Sequence, residues 1–145
     1  MPAGFRAYTD PTGFSLALPK GWTTSRQGSH VVAREPGGRA YLLIDQTTQP
    51  QPDALRDWQA QEASASSRLT GYRRLRLERV SYKGWNAADW EFTWTPSSGP
   101  LHVLNRNIRV NDHRAYALYW SVPSARWQAL RASFDTIAAS FRPAS

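Results

Sequence analysis

The stretch Gly84–Thr95 constrains the fold more than any other part of the sequence. From Ala88 onward every second residue is apolar and a polar residue lies between each pair; the apolar ones are Ala88, Trp90, Phe92 and Trp94. This period of two is typical of a β-strand with one buried face. Aromatic side chains bury about 150–250 Å² each, so the element that covers this face forms the main core. We therefore expect a central strand of an antiparallel sheet.

The length and the missing cysteines narrow the class of protein. The 145 residues suit a single globular domain spanning 1–145. A chain without cysteine has no disulfide, no thiolate metal site and no cysteine nucleophile. No apolar run reaches the roughly 18–20 residues of a membrane span, and the first residues do not form a signal peptide. We expect the chain as given to be soluble and to be an excised domain.

The net charge of +7 comes from arginine, because only Lys20 and Lys83 are lysines. Such a charge attracts anionic surfaces, including nucleic acid, phospholipid headgroups and anionic cell-wall polymers. The composition does not choose among them.

Periodicity and turn residues predict strands in two groups. The early strands are Phe14–Leu18, His30–Arg34 and Ala40–Thr47. The later ones, joined by short turn-like links, are Tyr72–Ser81, Trp85–Thr95, Leu101–Val110 and Arg114–Ser121. Short links between successive strands make an antiparallel meander.

Two helices are predicted beside these strands. The first begins after Pro50–Asp53 and ends at Gly71, and Leu55 and Trp58 are the only bulky members of its thin apolar stripe. The closing helix has the clearest amphipathic pattern, in which bulky residues recur at steps of three and four: Trp127, Leu130, Phe134, Ile137 and Phe141.

These elements predict an α+β fold. We expect a single domain with a mostly antiparallel sheet of six to seven strands and a helix on each face, an α/β/α sandwich. The closing helix is expected to pack on the face of the central strand that carries Trp90, Phe92 and Trp94.

No catalytic or metal-binding constellation rises above background. His30, His102 and His113 lack metal-ligand spacing, and no nucleophile elbow or phosphate loop is present. Asp89 and Glu91 share the polar face of one strand and could form an acid–base pair. The favoured interpretation is that these two carboxylates pair with arginines on neighbouring strands of the sheet. We expect no catalytic residue, no metal and no cofactor.

Arginines crowd the strand Tyr72–Ser81. The favoured interpretation is a charged edge strand that discourages aggregation. The alternative is an anion-binding surface formed by Arg73, Arg74 and Arg76.

A second polar group lies in the middle of the predicted sheet. Asn105, Asn107 and Arg109 share one face of a strand and neighbour Trp85 and Asn86 of the adjacent hairpin. Asparagine is disfavoured in central strands, so these side chains either bond to a loop crossing the sheet, which we favour, or line a cleft. If a ligand pocket exists, we expect it here, with Trp85 as its wall and Arg109 as the anchor for an anionic group.

Five stretches carry a resemblance to a known family. They are Gly13–Trp22, Tyr41–Thr47, Trp85–Phe92, His102–Asn107 and Ala117–Pro123. In this order, between Tyr8 and Pro143, they resemble the C-terminal extracytoplasmic domain of actinobacterial, streptomycete-type membrane serine/threonine protein kinases, which is similar to PsbP-like sandwiches.

The resemblance implies an outer sensor or ligand-binding module, joined through one membrane helix to a cytoplasmic kinase and therefore anchored to the cell membrane. The kinase's own glycine-rich loop, lysine strand and metal-binding aspartate are absent, so we expect a non-enzymatic domain. The implied partner is an unknown ligand, either an anionic cell-wall component or another protein, and no nucleic acid is expected. The alternative is a free-standing PsbP-like binding or scaffolding protein, and a small enzyme ranks third.

Overall fold

The computed structural model describes all 145 residues. Its strands are β1 Phe5–Thr9, β2 Ser15–Pro19, β3 Thr23–Gln27, β4 His30–Arg34, β5 Tyr41–Thr47, β6 Arg73–Arg79, β7 Asn86–Trp94, β8 Leu101–Asn111 and β9 Arg114–Pro123. The α-helices are α1 Ala54–Ala65 and α2 Trp127–Ser140. Neither helix is both long and apolar enough to cross a membrane.

Seven strands form one antiparallel sheet in the order β3-β4-β5-β9-β8-β7-β6, and β1 and β2 form a separate hairpin. The last four strands are consecutive neighbours, which confirms the predicted meander. Helix α1 packs on β6, β7 and β8, whereas α2 packs on β9 and on β2. The fold is the predicted α+β sandwich with one helix on each face of the sheet.

Each face of the sheet has its own apolar core. The larger core lies under α2, where Phe134 and Ile137 meet Leu118 and Trp120 of β9. The smaller core lies under α1, and its buried members are Ala54, Trp58, Ala88, Trp90, Phe92 and Val103.

The expected docking of the closing helix was therefore wrong. Trp90 and Phe92 face α1, and the Trp58 and Trp90 rings lie 6.1 Å apart in an edge-to-face arrangement. Helix α2 lies on the other face, to whose core β4, β5 and β9 contribute buried apolar residues such as Val31, Leu42 and Trp120. Both faces of this sheet are apolar, so periodicity alone does not assign each helix to its face.

On the face under α2, β7 presents charged residues instead of apolar ones. Asp89, which is 1% exposed, accepts hydrogen bonds from Arg106 Nε at 2.8 Å and from Arg76 Nη2 at 3.2 Å. Glu91 accepts from Arg76 Nε at 3.2 Å and lies 2.6 Å from His102 Nε2. The expectation that arginines across the sheet pair with Asp89 and Glu91 is confirmed.

The strand β3 was missed by the sequence analysis. All five of its residues, Thr23–Gln27, are exposed, and it forms one edge of the sheet. A polar edge strand has no buried face and therefore shows no apolar alternation.

Candidate ligand-binding cleft

A cleft of about 240 Å³ opens between α1 and the sheet, at the end of the sheet where α1 begins. Helix α1 contributes Ala54, Asp57, Trp58 and Gln61 to one wall. The sheet contributes Asn107, Arg109, Ala115 and Ala117, together with Asp45, Gln46 and Thr47 at the end of β5. The connection between β5 and α1 adds Gln49, Pro50 and Gln51.

The cleft has a defined shape because α1 begins at a fixed point on β7. Asp53 caps the helix by accepting from Arg56 N at 3.0 Å, and Arg79 contacts the same carboxylate through Nη1 at 2.6 Å and Nη2 at 2.9 Å. The hydrogen bonds from Arg79 hold the pKa of Asp53 well below its ordinary value. Asn86 donates to Asp53 and accepts from Ala54 N at 2.9 Å. The first turn of α1 is thus tied to the sheet.

Asn107 forms the floor of the cleft and ties α1 to β8. It is 5% exposed, and its Nδ2 donates to Ala54 O at 3.2 Å and to Asp57 Oδ2 at 3.0 Å. Asn107 therefore bonds to the start of a helix, whereas the favoured sequence interpretation was a loop crossing the sheet. Arg109 fits that interpretation, because it donates to Gln51 O in the connection before α1. Asn107 also lines the cleft, so the same side chain holds α1 on the sheet and contributes to the cleft.

Arg109 lines the same cleft, but its guanidinium already has partners. Nε donates to Gln51 O at 3.0 Å and Nη2 donates to Asp112 Oδ1 at 2.8 Å. The hydrogen bond from Arg109 lowers the pKa of Asp112. A guanidinium paired in this way is less available to an anionic ligand than the sequence suggested.

Asn105 lies one pleat beyond Asn107 on the same face of β8 and is 7% exposed. Its backbone oxygen accepts from Trp58 Nε1 at 2.9 Å, but its side-chain Oδ1 is buried without a hydrogen-bond partner. A buried amide oxygen without a partner costs about 1–3 kcal/mol, so such groups call for an explanation.

Trp85 does not join these residues. It precedes Asn86 and lies on the other side of the sheet, where its ring packs edge-to-face on Tyr82 at 5.6 Å and on Phe141 at 6.1 Å. The structure thus brings Asn86, Asn105, Asn107 and Arg109 to one face and separates Trp85 from them. The indole beside the cleft is that of Trp58.

Sequence reasoning also missed the contributions of α1 and β5. Asp57 and Gln61 are four residues apart and share one flank of α1, next to Trp58. That spacing was readable in the sequence, but only the packing of α1 on β8 shows that this flank faces a cleft. Asp45 comes from a strand separated from β8 by β9 and gave no local signal.

The cleft is built for hydrogen bonding. Two carboxylates (Asp45 and Asp57) line it together with the amides of Gln49, Gln51, Gln61 and Asn107. Gln46 also lines the cleft, but its Nε2 donates to Thr12 Oγ1 at 3.1 Å. No group of three histidine, cysteine, aspartate or glutamate residues in the chain could hold a metal ion.

The arginines of β6 lie at the opposite edge of the sheet from β3. Arg74 Nε donates to Glu62 at 2.6 Å, and Arg76 belongs to the cluster with Asp89 and Glu91. Arg73 is exposed and has no acidic partner. The edge position of this strand is therefore confirmed, while its effect on aggregation and an anion-binding role of these arginines stay predictions.

Solved structures with the same fold come from distant organisms. Cyanobacterial PsbP (CyanoP) from Synechocystis is 19% identical over 98% of this chain and 94% of that chain, with a TM-score of 0.73. LpqN of Mycobacterium tuberculosis, involved in cell envelope biogenesis, is 11% identical with a TM-score of 0.65 and coverage of 96% and 91%. The Ran-binding protein Mog1p of Saccharomyces cerevisiae is 13% identical with a TM-score of 0.65 and coverage of 95% and 94%. At these identities the likeness shows a shared PsbP-like fold.

The sequence itself matches one family. A comparison with curated proteins found no match. The family model described as the serine/threonine kinase C-terminal domain matches residues 6–143, which is nearly the whole chain. The chain therefore belongs to the family of serine/threonine kinase C-terminal domains.

Proposed function

We propose that this chain is a non-enzymatic, extracytoplasmic ligand-binding domain that acts as the sensor of a membrane-anchored serine/threonine kinase. The observation that carries the proposal is the cleft between α1 and the sheet, in which polar side chains converge around Asn107. Concave sites with a few converging polar groups are where proteins hold small ligands. The family supports a serine/threonine kinase as the parent protein, and the cleft offers a binding site for the ligand that acts as its signal.

The position of the cleft suits a sensor. A ligand in it would contact Asp57 and Trp58 on α1 and Asn107 on β8 at the same time. Because the first turn of α1 is tied to β7 and β8 by Asn86 and Asn107, occupancy would stabilise the helix against the sheet. A ligand changes a conformational equilibrium only when it binds one conformation more tightly than the other. Simultaneous contact with α1 and β8 would give a ligand that preference, for the conformation in which the helix is held against the sheet.

A cleft-blocking substitution tests the proposal. Ala117 is a half-buried floor residue, and a phenylalanine there would fill the cleft without changing charge. Ala117→Phe in the parent kinase should abolish any change in autophosphorylation that soluble peptidoglycan fragments cause. Ala132→Phe, on the exposed face of α2, is the matched control and should leave the response intact.

Amide shifts of the isolated chain provide the direct readout. Peptidoglycan fragments and glycerol phosphate, titrated separately, should move resonances of Ala54–Gln61, Asn107 and Ala115–Ala117 if the cleft binds either. A full kinase response in Ala117→Phe, or shifts confined to α2 and Trp85, would contradict the proposal.

A second candidate is a protein-contact module, favoured by the open part of the sheet beside the cleft. Helix α1 packs on β6, β7 and β8 and leaves β4 and β5 without a helix on the same face. There Tyr41, Leu43 and Tyr119 are only partly buried, and the two tyrosine rings stack at 6.1 Å. Chemical shifts at these residues on addition of the kinase's other domains would favour this alternative.

A further inference from the structure

We infer that the cleft takes a small, uncharged, hydroxyl-rich ligand of about one sugar ring, instead of the anion that the net charge suggests. The inference rests on the proposed function, since it specifies the ligand of the same cleft. It follows from the charge of the lining groups, from their hydrogen-bonding character, from the buried amide beside the cleft and from the cleft volume.

The charges in the cleft oppose an anion. The chain carries +7 overall, yet the cleft is lined by the carboxylates of Asp45 and Asp57. Its one cation, Arg109, is bonded to Asp112 and to a backbone carbonyl. An anion would therefore meet two like charges and no unpaired guanidinium.

Both carboxylates already accept hydrogen bonds from other protein groups, so they are less available to a cationic ligand. Asp57 Oδ2 accepts from Asn107 Nδ2, and Asp45 Oδ1 accepts from Gln46 N at 2.9 Å and from Ser29 Oγ at 3.2 Å. Each carboxylate therefore keeps one oxygen without a protein donor. Those two oxygens can each accept from a ligand hydroxyl.

The remaining polar groups are mostly amides. Each side-chain amide offers two N–H donors and a carbonyl acceptor. A ligand hydroxyl both donates and accepts, so it can use either end of an amide, whereas an ammonium uses only the acceptors and a carboxylate or phosphate only the donors. Gln46 Nε2 already donates to Thr12 Oγ1 at 3.1 Å, and both Nδ2 protons of Asn107 are donated to α1. The amides of Gln49, Gln51 and Gln61 therefore carry the match to a polyhydroxylated ligand.

Asn105 adds an independent sign that a polar partner is missing. This amide is 93% removed from solvent, its Oδ1 has no hydrogen bond, and it lies beside Asn107 on the same face. Trp58, which lines the cleft, bonds to the backbone oxygen of the same residue. Asn105 does not line the cleft, so a ligand hydroxyl would bond to its Oδ1 only on displacement of the Trp58 side chain.

The volume of the cleft indicates the size of the ligand. At about 240 Å³ the cleft is below the roughly 300–1,000 Å³ of pockets that hold drug-sized ligands. Ala115 and Ala117 form an apolar patch of its floor, against which the C–H groups of a sugar ring can lie. One ring is therefore the fitting unit.

Hexoses that share a ring but differ in charge test the inference. We would follow amide shifts of the chain with glucose, galactose, mannose and N-acetylglucosamine as neutral probes, glucosamine as the cation and glucuronate as the anion. At least one neutral sugar should move Ala54–Gln61 and Asn107 with a millimolar Kd. Glucuronate should bind at least about tenfold more weakly, and glucosamine no more tightly than the neutral sugar.

Two variants complete the test. Asp57→Asn keeps the shape and an acceptor for Asn107, so a bound ammonium should lose at least about tenfold in affinity, and a neutral sugar should lose clearly less than the ammonium does. Ala117→Phe should abolish the shifts and Ala132→Phe should not.

The failures of the two proposals are distinguishable. If glucosamine or glucuronate alone moves the cleft resonances, the ligand-binding proposal stands and the uncharged ligand is wrong. If no neutral sugar moves them at about 50 mM, well above a millimolar Kd, the inference is overturned. The kinase response of Ala117→Phe then decides the sensor role separately.

Discussion

Replacing Asp89 with asparagine tests the ionic contact beneath α2. Asp89 is 1% exposed and accepts from Arg106 through Nε at 2.8 Å and Nη2 at 3.0 Å. The Arg106 guanidinium also lies over the Tyr82 ring at 4.7 Å and over the Phe134 ring at 5.3 Å. It is therefore held between the Asp89 carboxylate and two aromatic rings, those of Tyr82 and of Phe134 on α2.

Asp89→Asn should lower the free energy of unfolding by about 2–3 kcal/mol. Removing one partner of a fully buried ion pair costs about 3–5 kcal/mol, because the other charge stays buried without compensation. The expected loss is smaller here because the Arg106 and Arg76 side chains are 17% and 33% exposed, so that water can relax around them. Urea unfolding at neutral pH with linear extrapolation measures the difference.

A double-mutant cycle with Arg106→Met separates the pair from general packing. Once the arginine is gone, Asp89→Asn should cost at least about 1 kcal/mol less than it does alone. Glu78→Gln is the matched control: Glu78 also contacts Arg76, at 3.4 Å, but its side chain is 56% exposed, so its loss should stay below about 0.5 kcal/mol. A loss below about 1 kcal/mol for Asp89→Asn, or strict additivity with Arg106→Met, would refute the reasoning.

Three further predictions concern the two cores and two charged groups. Trp90→Ala and Phe134→Ala should each cost about 3–5 kcal/mol in urea melts and add within about 0.5 kcal/mol, since the residues lie in different cores; strong coupling would contradict the separation. Burial raises the pKa of Asp10, but hydrogen bonds from neighbouring hydroxyl and amide groups outweigh it and lower the pKa from 3.8 to about 2. The stabilisation, about 2 kcal/mol, should be present above pH 4 and lost as the pH falls toward 2, and Asp10→Asn should flatten this part of a pH-stability curve. Lys83 Nζ donates to Ala139 O at 2.8 Å and to Phe141 O at 2.7 Å at the end of α2. Lys83→Met should therefore lower the free energy of unfolding by about 1 kcal/mol in urea melts. An unchanged midpoint would show that water forms equally good hydrogen bonds to these carbonyls.

Local patterns in the sequence were enough for most of the elements. The alternation around Trp90, the turn residues between the last four strands and the three-and-four spacing of α2 each depend on residues close in the chain. Strand β3 was not predicted, because it is an edge strand that pairs on one side only and all five of its polar residues are exposed. The resemblance on five stretches added the family, which periodicity does not encode.

The candidate site was predictable only in part. Asn107 stood out because asparagine is disfavoured in a central strand, and Arg109 because it shares the same face of that strand; both line the cleft. Trp85 was grouped with them by proximity in the chain, but the odd-even alternation at the start of β7 turns it to the other face. Asp57 and Gln61 carried no such sign, because polar residues on a helix flank are ordinary.

What the sequence determined by itself was the kind and order of the elements, since strand and helix periods arise from backbone geometry over a few residues. It also determined the lack of cysteine chemistry and the excess of arginine. Only the tertiary structure decided which helix covers which face, because both sheet faces are apolar and either could accept either helix. It likewise decided that the cleft is lined by carboxylates in a chain of net charge +7, because β5, β8 and α1 meet there from positions as far apart as Asp45 and Arg109. Contacts at that separation depend on how the elements pack, which no local pattern specifies.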